Sequence, residues 1–207
     1  MKPSFAEERA LIARGITMIA GVDEAGCGCW AGPVYAAAVI LPLDSRIGLV
    51  RDSKTLSPSQ RERVAVRIRE EATAWAVGTA SAGEIDTLNI RRASALAMRR
   101  AIEALTVRPE FVLIDAFKIP GLTIPSKNII RGDAKVKSIA AASVIAKVAR
   151  DIHLQELDRL HPGYGFAQHK GYGTKQHQRA LAKLGPCEAH RKSYAPVKKY
   201  FAEKTPA

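Results

Sequence analysis

Unbroken apolar stretches and stretches with helical spacing alternate along this chain. Residues 16–24 and 34–41 read as buried strands, joined by a glycine-rich turn. Ser57-Pro58-Ser59-Gln60 opens a helix: Ser57 can cap, Pro58 suits the first helical position, and Gln60 completes a capping box. That helix runs to about Glu71, and residues 73–80 follow as a strand around Trp75 and Val77. Residues 88–105 have helical spacing, with Leu88, Leu96 and Ile102 on the buried side. Phe111–Asp115 is a short apolar strand ending in an acid, and Pro120, Gly121 and Pro125 mark turns after it. The longest predicted helix spans 134–160. Its segment 139–146 is apolar nearly all round, so it must pack deeply, and its alanines let it sit close to a sheet. A loop carrying Gly163, Gly165, Gly171 and Gly173 precedes a short helix over Lys175–Leu184. The pattern predicts an α/β core over residues 1–160 and a small helical region over 161–207.

Composition changes this picture in one respect. Apolar residues make up 47% and charged residues 25% of the 207, as in ordinary soluble globular proteins. The formal net charge of +12 is not ordinary, and it favours nucleic acid or an anionic membrane face as partner. No apolar run reaches the length of a membrane span. Residues 1–8 lack the apolar core of a secretion signal. The three cysteines, Cys27, Cys29 and Cys187, are too few and odd in number for a disulfide framework. The expectation is a cytoplasmic protein and, with no sign of an obligate interface, a monomer.

The candidate chemistry lies in four acids at junctions of regular structure and turns. Asp23 and Glu24 close the first strand, Asp115 closes a later one, and Asp133 begins the long helix. Acids at the ends of buried elements can converge on one cleft, where they repel one another unless a cation joins them. Oxygen-only ligation suits Mg²⁺ or Mn²⁺ rather than zinc. Two such ions about 4 Å apart can stabilise both the attacking and the leaving oxygen at a phosphodiester. For Asp133 alone, a plain helix N-cap is the competing reading. Successive strand residues point to opposite faces, so Asp23 and Glu24 can share a metal only if the strand distorts or ends near Glu24, helped by Gly26.

These residues resemble the ribonuclease HII family. Gly21-Val22-Asp23-Glu24-Ala25-Gly26 with Ala31-Gly32-Pro33-Val34 is similar to its first signature, and Asp52-Ser53-Lys54 with Leu56-Ser57 to its second. Leu113-Ile114-Asp115 and Gly132-Asp133-Ala134-Lys135 resemble the next two. The segment from Ser138 to Asp151 is similar to the family's long helix. His161-Pro162, Tyr164-Gly165-Phe166, His169-Lys170-Gly171-Tyr172-Gly173-Thr174 and His190-Arg191 resemble the C-terminal signature.

The resemblance implies a ribonuclease H-like fold: a mixed central sheet flanked by helices, with a small C-terminal helical region completing the substrate cleft. It implies a metal-dependent endonuclease that hydrolyses the RNA strand of RNA–DNA hybrids and cuts at ribonucleotides embedded in duplex DNA. The products carry 3′-hydroxyl and 5′-phosphate ends. Asp23, Glu24, Asp115 and Asp133 are the implied catalytic, metal-binding acids. Selecting RNA requires sensing the 2′-hydroxyl. The family does this with a Gly-Arg-Gly turn and a tyrosine, which correspond to Gly26-Cys27-Gly28 and Tyr172. Cys27 departs from the pattern: the flanking glycines remain, but a fixed charge and a planar donor fork are lost.

Lys54, Lys147 and Lys170 are candidate phosphate contacts, each also readable as a solvated lysine. Ser143 on the long helix either touches the substrate backbone or bonds within its own helix. Tyr172, between two glycines, suits a sugar contact or loop packing. Trp30 is expected to pack beneath the turn. The histidines read as scattered surface or loop residues, and Cys27, Cys29, Cys187 and His190 lack convincing zinc-site spacing. A DNA-directed nuclease of the same fold and a non-catalytic nucleic-acid binder remain the alternatives.

Overall fold

The computed structural model describes residues 2–47, 56–116 and 118–202. The proposed Lys54 contact and its Asp52-Ser53 neighbours lie outside them. Five strands form one mixed sheet: β1 (Ile19–Ala25), β2 (Val34–Ile40), β3 (Ala74–Ala80), β4 (Phe111–Asp115) and β5 (Ser126–Ile129), in the order β3-β2-β1-β4-β5. β2 runs antiparallel to β1 and β3, whereas β1, β4 and β5 are parallel. This is the expected mixed sheet flanked by helices.

Each face of the sheet is covered by a helix that approaches at a glycine. The long helix α5 (Lys137–Leu160) crosses β1 at Gly21, where a Cβ would stand 2.2 Å from the carbonyl carbon of Ser138. On the other face, α4 (Ile90–Glu103) crosses β3 at Gly78, where a Cβ would meet the Ala97 oxygen at 2.2 Å. The alanines of β2 serve both sides, Ala37 facing α5 and Ala36 and Ala38 facing α4. Residues 139–146 of α5 are buried throughout, as their all-round apolar pattern requires. Helix α2 (Pro58–Glu71) packs beside α5 and begins with the expected Ser57/Gln60 capping box.

The structure corrects several boundaries. The helix read over 88–105 is α4, starting at Ile90, and a further helix, α3 (Ala82–Leu88), precedes it; Asn89 at φ 66 parts the two and caps α4 by accepting from the Arg92 amide. The long helix starts three residues later than expected. Asp133 sits in a separate 3₁₀ turn, Gly132–Ala134, and the N-cap position is Val136, so the plain-cap reading of Asp133 fails. Helix α1 (Ala6–Ile12) and strand β5 carry no strong sequence pattern. Beyond α5, the short α6 (Phe166–His169) and α7 (Lys175–Leu184) pack back on the β1–β2 turn through Ala31, Tyr164, Phe166 and Ala180, and α8 (Ala195–Ala202) follows them. Among the described residues, no helix is long and apolar enough to cross a membrane.

Candidate active site

Three acids from distant segments meet at one end of the sheet. The parallel register pairs Val22 with Ile114, so Asp23 and Asp115 stand side by side one step further on. The 3₁₀ turn brings Asp133 to them, and one carboxylate oxygen from each lies within 4.8 Å of the others. Asp23 and Asp133 are buried and Asp115 is half-buried. This is the carboxyl end of parallel strands, where open α/β sheets place their ligands.

Backbone geometry builds this cluster. The Gly132 amide donates to Asp115 Oδ1 at 2.6 Å. A Cβ on Gly132 would stand 2.6 Å from Ile139 Cδ1 and 3.3 Å from Asp115 Oδ1, so a larger residue displaces either the Ile139 methyl or the turn. Arg131 before the turn and Ala116 after Asp115 both hold left-handed conformations, at φ 57 and φ 60. Such strain is stored where surrounding contacts over-determine the chain. Electrostatics point the same way. Burial, with the charges of Glu24 and Asp115, pushes the Asp23 carboxyl well above its usual range, partly offset by a hydrogen bond from the Ser143 hydroxyl. Oxygen-only donors that are buried and mutually repelling fit a hard divalent cation.

Glu24 does not behave as expected. β1 continues in regular register through Glu24↔Ala36 and Ala25↔Tyr35, and the chain turns only at Gly26, at φ 99. The strand thus ends near Glu24 with its turn at Gly26, as expected, but without the distortion that would bring Glu24 to the face of Asp23. The Glu24 side chain leaves the face opposite Asp23, and its Oε1 accepts from the Cys27 thiol at 3.4 Å. The Cys27 sulfur also lies 3.1 Å from Ser94 Oγ of α4. Glu24 is not one of the three clustered acids, yet it lines the same cavity and its charge acts on Asp23.

That cavity, of about 240 Å³, is lined by Asp23, Glu24 and Asp115 on the acid side and by Gly26, Cys27, Gly28, Ser143, Lys147 and Tyr172 around them. Seven of the eight proposed substrate residues are described, and six reach it. Lys170 does not: it contributes a backbone carbonyl, which accepts from Arg150 Nη1 at 2.9 Å. Lys147 is ion-paired with Asp151 at the cavity wall, and burial lowers its affinity for the proton. The Cys27 thiol is pushed up to about 12, chiefly by burial and then by Glu24, so it is an inert neutral group. The two glycines of the turn differ. A Cβ on Gly26 would meet Arg150 Nε at 2.1 Å, whereas one on Gly28 would meet nothing within 4 Å.

Two buried arginines, to which the sequence pattern assigns no task, hold the turn. Arg191 donates to the carbonyls of Gly26, Cys27 and Gly32 at 2.8, 3.0 and 3.0 Å, and Tyr194 Oη donates to that of Cys27 at 2.6 Å. Arg150 donates to those of Ala31, Pro33 and Lys170. Arginine reads as a surface residue, so its burial gives no sequence signal. Trp30 packs against Gly173 and His177, under the Tyr172 loop. The histidines are corrected too: His169, His177 and His190 form one buried group. Among the described residues, the only group suited to a metal is the aspartate cluster.

The sequence profile of the family described as Ribonuclease HII matches residues 20–197. Ribonuclease HII of Desulfitobacterium hafniense (strain Y51) is 53% identical over 191 residues, 92% of this chain and 74% of that protein. Ribonuclease HII of Moorella thermoacetica is 52% identical over 190 residues, 92% of each. Among solved structures, the PCNA:RNase HII complex from Archaeoglobus fulgidus superposes with a TM-score of 0.74 at 26% identity, covering 92% of this chain and 98% of that one.

Proposed function

The chain belongs to the ribonuclease HII family of endoribonucleases, which act on RNA–DNA hybrids, and from that premise we propose that it also cuts at ribonucleotides embedded in duplex DNA, using divalent cations held by Asp23, Asp115 and Asp133 and leaving 3′-hydroxyl and 5′-phosphate ends. The observation that carries this reading is the convergence of three carboxylates within 4.8 Å, two of which, Asp23 and Asp115, line the cavity. When bound there, Mg²⁺ or Mn²⁺ supplies Lewis acidity at the phosphodiester and acidifies the attacking water. Glu24 adds a fourth acid from the other face of β1. Asp115 is oriented by the Gly132 amide, and Asp23 by the Ser143 hydroxyl.

Recognition falls to the opposite wall. The Gly26-Cys27-Gly28 turn, its carbonyls fixed by Arg191, offers backbone groups to the ribose, and exposed Gly28 leaves room for the sugar to approach. Tyr172, from the C-terminal region, closes the cleft, so that region contributes a wall of the site rather than standing apart from it. Lys147 can exchange Asp151 for a phosphate. Cys27 supplies no charge to the substrate, and we propose that this weakens binding without disturbing the acids. The net charge of +12 suits a duplex partner.

The test is a cleavage panel with single-ribonucleotide, RNA–DNA hybrid and all-DNA duplexes, each with Mg²⁺, Mn²⁺ or chelator. The first two should be cut only with a cation, with 3′-hydroxyl ends, and the all-DNA duplex should stay intact. An uncut single-ribonucleotide duplex beside a cut hybrid would overturn the embedded-ribonucleotide reading. In the same assay, Cys27→Arg should bind several-fold tighter at raised salt, and equal activity across the salt series would contradict the role assigned to Cys27.

A further inference from the structure

Tyr172 stands in a loop that its own sequence does not fix. Glycine flanks it on both sides, with Gly171 at φ 77, and its ring is half-exposed. A side chain that must meet a sugar edge needs an anchor. Its backbone has one: Tyr172 N donates to the His169 carbonyl at 2.9 Å, and the Tyr172 oxygen is shared between the Thr174 amide at 2.8 Å, a bond within the loop, and His177 Nδ1 at 3.0 Å, which ties it to α7.

Behind that contact the polar groups form one directional chain. A carbonyl oxygen only accepts, so His177 Nδ1 carries the hydrogen. A neutral imidazole has a single N–H, which makes His177 Nε2 an acceptor. It lies 3.0 Å from His190 Nε2, which must then be the donor. His190 Nδ1 is left with a lone pair, which accepts from the Cys187 amide at 3.0 Å; the Cys187 sulfur at 3.2 Å and carbonyl oxygen at 3.3 Å are the more distant neighbours. Every donor thus meets an acceptor, in one tautomer. His169 obeys the same logic separately: the Gly171 amide donates to its Nδ1 at 3.2 Å, and its Nε2 donates to the Tyr164 carbonyl at 2.8 Å. His177 and His190 are fully buried, and burial holds both well below the usual histidine range, so both are neutral at neutral pH.

We propose that His190 and His177 form an imidazole relay that sets the position of Tyr172 against the substrate, making them positioning residues for ribonucleotide recognition. The relay rests on the reading of Tyr172 as a substrate contact. Asparagine at 177 keeps a donor where Nδ1–H stands, whereas leucine removes it. Glutamine at 190 keeps a donor where Nε2–H stands, whereas asparagine removes it.

The experiment measures KM and kcat for a single-ribonucleotide duplex, together with Mn²⁺ affinity and thermal unfolding. His177→Leu should raise KM about tenfold, with kcat and Mn²⁺ affinity within twofold of the parent, and His177→Asn should restore KM to within about threefold. In a Tyr172→Ala background, His177→Leu should add nothing further to KM. If His177→Leu does not fold, the same contrast is read between His190→Asn and His190→Gln. A folded His177→Leu with parental KM, or an equal effect in the Tyr172→Ala background, would overturn the relay alone. A Tyr172→Ala variant with parental KM would overturn the substrate role of Tyr172 and the relay with it.

Discussion

At the scale of single residues, the site rests on three acids at the junctions of buried elements and turns, one carboxylate oxygen of each within 4.8 Å of the others. Asp23 and Asp115 stand where apolar runs stop and Asp133 where a glycine turn meets the long helix, and a carboxylate beside a buried element needs a charged partner, so the sequence points to them. Glu24 shows the limit of that reasoning. Its neighbour in sequence faces the other side of the sheet, and only the register through Ala25 reveals it. Arg150, Arg191 and the buried histidines were invisible because their residue types belong, by pattern, to the surface. The two glycines of the turn make a direct prediction. Gly26→Ala should unfold more easily, since a Cβ collides with Arg150 and φ 99 strains an L residue. Gly28→Ala, with open space around it, should melt like the parent and still raise KM several-fold by intruding on the sugar. Melting curves beside cleavage kinetics check both; a Gly28→Ala variant with unchanged KM contradicts the role assigned to the turn.

At the scale of elements, strong local chemistry was readable and tertiary support was not. The Ser57 capping box and the helix over Lys175–Leu184 follow from residues adjacent in sequence. Strand β5, Ser-Lys-Asn-Ile, has no apolar alternation because it is an edge strand held by pairing with β4. Helix α5 lacks a side-chain cap of its own. Glu8 of α1 provides it from 130 positions away, accepting from Ser138 N at 3.0 Å and Ser138 Oγ at 2.8 Å. No local pattern could reveal that. Glu8→Ala should therefore cost about 1–3 kcal/mol and lower the melting temperature by about 5 °C, as scanning calorimetry would measure. Because α5 carries Ser143 and Lys147, activity should fall with stability near the melting point, while the cation affinity at 25 °C stays parental. Gly132→Ala should do the reverse: it displaces the turn bearing Asp133 and should lower kcat by about 100-fold, with a smaller change in melting temperature.

At the scale of the whole molecule, the C-terminal region that carries Tyr172 is held together internally by polar groups that acid can break. His177 and His190 are each pushed down to about 4, chiefly by burial. They face one another, His169, His161, Cys187 and Tyr164, with Glu188 beside His161. In the unfolded chain a histidine titrates near 6.5. Between those values the unfolded state binds more protons, so stability is full above about pH 6.5 and is lost as pH falls toward 4. The melting temperature should be flat above pH 7 and drop steeply below pH 6, and His190→Gln should shallow that slope. The overall basic charge, the α/β class and the four acids could all be taken from the sequence. What it could not supply was the meeting of β1, β4 and the 3₁₀ turn, which depends on register and on Gly132. That meeting is tested most directly by titrating Mn²⁺ into the protein by calorimetry, beside Asp115→Asn. Saturable binding that weakens by at least tenfold in Asp115→Asn, with an unchanged melting curve, is the predicted result. Equal binding by the parent and Asp115→Asn would contradict a cation site shared by Asp23, Asp115 and Asp133.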